Sequence, residues 1–149
     1  MSQCVCEKYL LPLKTFDDVQ RRCADSAEIL PLLQLMADDA RKWLSVYRCR
    51  VCGTLWAEEY PFSEMHGGGP ACLYVIEAKN PEVWLATADY RTSKICQNYA
   101  DEKFYESLGP ELGPELCKRE GCGRKRIALS VLCRCHHFEV VRQKPCPFG

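Results

Sequence analysis

The chain carries no net charge: 20 Lys and Arg balance 20 Asp and Glu. No global field therefore draws it to nucleic acid or to a membrane surface. It lacks a long apolar run. The longest, Ile29 to Met36, is broken by Pro31 and Gln34, which excludes a spanning helix. Met1 to Lys8 contains no apolar core of a signal peptide. Histidine is scarce, with three residues. The glycine-rich stretch FSEMHGGGP, residues 62–70, has no Gly-Lys-Ser/Thr end and is not a P-loop. Its His-Gly-Gly-Gly would suit an esterase oxyanion hole only beside a Gly-x-Ser-x-Gly elbow. None of the seven serines has glycines at both flanking positions.

What the chain has in excess is cysteine, twelve residues in 149. Disulfides need an oxidising compartment, and no secretory signature is present, so reduced thiols in a cytoplasmic protein are expected. Cysteines that are reduced and clustered are mostly metal ligands or catalysts.

The stretch KWLSVYRCRVCGTLWAEEY, residues 42–60, organises the rest. In Trp43 to Arg48 the side chains alternate, with aromatic and β-branched residues, which predicts a strand. Thr54 to Tyr60 predicts a second, stopped by Pro61, which has no N–H for a ladder. Between them Cys49-x-x-Cys52-Gly53 forms a turn, and Gly53 fits a position of positive φ. Two intervening residues let both thiolates reach one ion. This hairpin resembles a zinc ribbon over about twenty residues, a scaffold shared by many functions. The rival reading, a redox Cys-x-x-Cys of thioredoxin type, opens a helix; Gly53 and the β-rich continuation argue against it. Structural zinc wants four closed ligands, and Cys4 and Cys6 are the expected second pair, ahead of His66 and Cys23.

A second cluster lies at Cys117, Cys122, Cys133 and His136, spaced Cys-x4-Cys-x10-Cys-x2-His. Three thiolates and an imidazole make a sensible tetrahedral set. The spacing resembles small Cys3His knuckles of the treble-clef kind, a resemblance that implies proteins handling nucleic acids. Cys135 and His137 compete for the fourth place. Lys118, Arg119, Arg124, Lys125 and Arg126 crowd this site as candidate phosphate contacts, or as balance for a net-negative metal site. No interleaved aromatics are present for base stacking. Residues 117–149 are net +6 and the preceding 116 net −6.

Elsewhere, Thr15 predicts an N-cap with Asp17 and Asp18 in the first turn. Phe16, Val19, Cys23, Ala27 and Leu30 predict a buried stripe. Leu32 to Ala40 is expected as a second short helix, Cys72 to Glu77 as a central strand, and residues 92–108 as a helix stopped at Gly109-Pro110. Cys72 and Cys96 read as core thiols. The expected class is α+β: a small antiparallel sheet containing the ribbon hairpin, flanking helices and a C-terminal zinc knuckle. The expected division is 1–108, a linker at 109–116 with its repeated Gly-Pro-Glu-Leu, and 117–149. Two structural Zn2+ sites, both closed, imply a non-catalytic adaptor binding another protein, with no membrane. Nucleic-acid binding through the basic knuckle is the runner-up. An enzyme is third, with Glu64, His66 and Asp89 as loose candidates and no nucleophile beside an evident base.

Overall fold

The computed structural model describes residues 4–62 and 69–149. Glu64 and His66 therefore lie outside the described residues. The class is α+β, as expected. The chain divides into two compact units, Met1–Gln97 and Asn98–Gly149.

In the first unit four strands form an antiparallel sheet in sequence order: β1 (Leu33–Asp39), β2 (Leu44–Cys49), β3 (Leu55–Glu59) and β4 (Cys72–Ile76). The hairpin predicted on either side of Cys49 and Cys52 is β2 and β3. Its register aligns Val46 with Ala57 and Tyr47 with Trp56. One face buries Val46, Ala57 and Tyr74 against Val19 and Leu85. The other buries Trp56 and Leu73 with Cys6, Ile29, Leu33 and Cys49. Both faces are thus apolar, and β3 is buried nearly throughout.

The helix α1 (Phe16–Ile29) opens as Thr15 predicts. The Thr15 side chain accepts from Asp18 N–H at 3.1 Å, and the Asp18 carboxylate accepts from Thr15 N–H at 3.1 Å. This is a reciprocal capping box. The buried stripe, however, is Val19, Arg22, Ser26 and Ile29; Ala27 and Leu30 are exposed. Arg22 and Ser26 are buried because they serve β4. Arg22 donates to Leu73 O at 3.2 Å, and Leu73 N–H donates to Ser26 Oγ at 2.9 Å. These bonds correct the expectation that β4 is central. It is an edge strand, and it reads as an interior one because α1 covers it and satisfies the outward N–H and C=O of Leu73.

The helix expected over Leu32 to Ala40 is also corrected: residues 33–39 are strand β1. Gln34, Leu35 and Met36 are all exposed, and the register shifts between Leu35 and Ala37. The extra residue of a bulge breaks alternation, so the period of two is hidden in the sequence.

Two helices follow β4. The first, α2 (Pro81–Thr87), starts with Asn80 as N-cap, its side chain accepting from Val83 N–H at 2.8 Å. The second, α3 (Arg91–Ser107), agrees with the helix predicted over 92–108. Cys96 is buried on it, as expected, whereas Ala100 is exposed.

In the second unit β5 (Glu111–Leu116) pairs with β6 (Lys125–Ile127), and α4 (Arg134–Arg142) follows. Residues 111–116, read as linker from their glycines and prolines, therefore form a strand, with a register shift between Glu111 and Leu116 that accommodates Pro114. Phe138 has no exposed surface. It packs against Phe104, Tyr105 and Phe148 at ring separations of 5.9, 6.4 and 5.8 Å, so Phe148 pins the C-terminal tail as its apolar character suggests.

Candidate metal centres

Cys4, Cys6, Cys49 and Cys52 bring four sulfurs within 4.8 Å of one another. A tetrahedral ion with bonds of about 2.3 Å holds its sulfurs about 3.8 Å apart, so four thiols so placed could share one. Cys49 ends β2, and its own N–H donates to Thr54 O at 2.8 Å. Val51 N–H turns toward Cys49 Sγ at 3.5 Å, and Gly53 N–H donates to Cys49 O at 3.1 Å. Gly53 has φ +81°, the positive value that the turn requires. Cys6 opens a 3-10 turn, Cys6–Tyr9, and receives a hydrogen bond from Trp56 Nε1 at 3.3 Å. Thr54 Oγ1 lies 3.0 Å from Cys52 Sγ. Neither Trp56 nor Thr54 was singled out by sequence; their positions just after the Cys-x-x-Cys are the signal that was available.

The electrostatics fit a shared cation. Burial pushes the Cys6 thiol up to about 12, against the opposing hydrogen bond from Trp56. The Thr54 hydroxyl and backbone N–H pull Cys52 down to about 6. Thiols this close cannot all ionise together without a positive partner.

Cys117, Cys122, Cys133 and His136 form the second group, again within 4.8 Å. His136 Nδ1 is 3.3 Å from Cys117 Sγ and 3.4 Å from Cys133 Sγ. Cys122 and Cys133 sulfurs are 3.9 Å apart. Cys117 follows β5, its N–H donating to Arg124 O at 2.8 Å. Cys133 is the N-cap of α4 and accepts from His136 N–H at 3.5 Å, so one helical turn places two donors together. Burial works against ionisation of Cys117, yet N–H groups of Cys133 and Arg119 and the His136 ring bring it down to about 6. Burial holds Cys133 up, at about 11.

The competing ligands point elsewhere. Cys135 Sγ lies 3.9 Å from Tyr105 Oη, and the His137 ring stacks on Phe104 with centroids 6.4 Å apart. Of the five basic residues, Arg124 pairs with Glu111 at 2.8 Å and Arg126 with Glu115. Arg126 also donates to Leu116 O at 2.9 Å. Lys118, Arg119 and Lys125 are exposed. Further along, Arg142 and Lys144 both pair with the buried Asp101. Much of the basic charge in this unit therefore faces the unit's own acids. Asp89, the described candidate of the enzyme reading, is exposed.

The sheet and the knuckle between its central strands bear on a comparison with known families. A family model described as Immunity protein 27 (Imm27) matches residues 29–77. This segment is similar to an immunity protein. It is a third of the chain, includes β1 to β4 with Cys49 and Cys52, and leaves Cys4, Cys6 and the second unit outside the Imm27 match. No curated protein and no solved structure matches the chain. Among the described residues no helix is long and apolar enough to cross a membrane.

Proposed function

We propose that this chain is a non-catalytic, zinc-stabilised protein that binds another protein, and that it does so as an immunity protein, by holding a toxin. The observation that supports this reading is the Imm27 match across the whole four-stranded sheet. The two clusters agree with it. Each offers four protein donors, and a closed four-donor site is structural zinc's arrangement, whereas catalytic zinc keeps a position open for water. In this reading Cys4, Cys6, Cys49 and Cys52 hold one Zn2+. Cys117, Cys122, Cys133 and His136 hold the other, with two donors on a turn and two on the first helical turn, as in treble-clef knuckles. The chain is then two zinc-closed units, with the sheet unit carrying the partner-binding role. Nucleic-acid contact through Lys118, Arg119, Arg124, Lys125 and Arg126 is the weaker reading, because Arg124 and Arg126 are engaged by Glu111 and Glu115.

The test has two arms. Elemental analysis of untagged protein purified without added metal should find about two zinc ions per chain. Co-expression with a candidate protein toxin should give a complex that survives purification at high salt. A chain without metal refutes the zinc sites. Failure to hold the toxin, with tight and strongly salt-dependent nucleic-acid binding instead, refutes the immunity reading.

A further inference from the structure

A cleft of about 300 Å3 opens beside the ends of β2 and β3, lined by Lys42, Trp43, Glu59, Tyr60, Tyr90 and Ser93. Three of its six described lining residues are aromatic. Trp43 is 55% exposed and meets Tyr60 edge to face at 5.5 Å. Trp43 and Tyr90 both have positive φ, 59° and 53°. A bulky side chain in that backbone region is uncommon, and such positions persist where the surroundings over-determine them, often at binding sites. Here the Tyr90 hydroxyl donates to Lys42 O at 3.3 Å and ties the two walls together.

At the floor lies Glu59, with no exposed surface. Its carboxylate accepts from Tyr74 Oη at 2.5 Å and from Ser93 N–H and Oγ at 3.0 and 2.8 Å. Among the described residues no cation lies within ion-pair distance of it. The Lys42 ammonium is drawn away to Leu85 O, 2.8 Å distant. A buried carboxylate without a paired cation projects a negative field into the space above it, and it does so most strongly where water is excluded. Aromatic faces beside such a field attract a cation. An arginine guanidinium suits both, because it is planar, stacks on rings and is weakly hydrated.

We propose that this cleft receives an arginine side chain of the protein partner, its guanidinium held by the Trp43, Tyr60 and Tyr90 rings over the Glu59 carboxylate. The proposal rests on the protein-binding reading and locates one contact of that interface. Trp43, Glu59 and Tyr60 lie within the Imm27 match, and Tyr90 and Ser93 outside it.

The probe is N-acetylarginine amide, titrated while the Trp43 indole N–H is followed by NMR, the signal being assigned with Trp43→Phe. The control is N-acetylcitrulline amide, nearly the same in shape but uncharged. The expected result is saturable binding of the arginine probe. The citrulline probe should bind roughly tenfold more weakly, in line with a desolvated cation–π contact. Tyr60→Ala, which keeps the Trp43 reporter and removes the ring that meets it in the cleft, should abolish the response. Equal binding of both probes, or no response to either, overturns the proposal. So does a folded Glu59→Gln that binds the arginine probe as tightly as the parent. None of these outcomes alters zinc content or toxin co-purification, so the protein-binding reading stands or falls separately.

Discussion

Replacing Cys49 by serine isolates the contribution of one thiol, because its backbone bonds to Thr54 and Gly53 need no side chain. If four donors share a structural zinc worth about 10–16 kcal/mol, losing one removes on the order of 3–4 kcal/mol. The new hydroxyl also lies in a cluster with Ile29, Leu33, Trp56 and Leu73, where Cys49 is 3% exposed. An unsatisfied buried hydroxyl there adds about 1–3 kcal/mol. The sum, about 4–7 kcal/mol, approaches the whole stability of an ordinary domain, about 5–15 kcal/mol. Cys49→Ser should therefore leave the sheet unit largely unfolded at room temperature and short of one zinc. Cys23→Ser, half-buried and outside both clusters, is the matched control and should keep both ions. The assay is urea unfolding by circular dichroism on samples of measured zinc content. A Cys49→Ser protein that melts cooperatively at the parental midpoint with its full zinc would refute the reasoning.

Ser26→Ala should cost about 1–3 kcal/mol, since it orphans the buried Leu73 N–H; an unchanged urea midpoint would show that β4 does not need this seal. Phe138→Ala should cost about 3–5 kcal/mol by opening a cavity among Phe104, Tyr105 and Phe148, read as early loss of the second unit's near-ultraviolet signal. Burial raises the carboxyl of Glu58 above its ordinary value, with partial relief from Tyr47 and Ser45, and Tyr60 stands nearby. The folded state then keeps a proton that the unfolded chain has lost. That stability is complete below the unfolded value of about 4.3 and disappears as pH rises through the raised folded value. Glu58→Gln should flatten this fall in a series of urea midpoints against pH, and an identical slope in parent and variant would remove Glu58 as its source.

The hairpin β2 and β3 was legible because alternation, the Cys-x-x-Cys-Gly turn and Pro61 all agree. Both donor groups were legible from spacing and residue chemistry, including His136 ahead of Cys135 and His137. The strand β1 was not, because Leu32, Leu35 and Met36 recur at helical spacing while the bulge conceals the pairing. The stripe of α1 was misplaced for a different reason. Hydropathy cannot anticipate that Arg22 and Ser26 are buried to serve Leu73, a residue far along the chain. The strand β5 was hidden by two Gly-Pro pairs, which local propensity reads as a stop. The cleft around Glu59 draws its walls from three separated segments and leaves no local trace.

The sheet is unequal at its two sides. On the β4 side, side chains of α1 occupy the N–H and C=O of Leu73 that another strand would use. On the β1 side, Gln34, Leu35, Met36 and Asp38 stand exposed. A sheet with two such sides could propagate without limit, each added molecule presenting a fresh template to the next. With one side stoppered, edge-to-edge growth terminates after a single encounter. Two copies meeting through β1 would consume both exposed sides and form a closed, two-fold pair with no end left to extend.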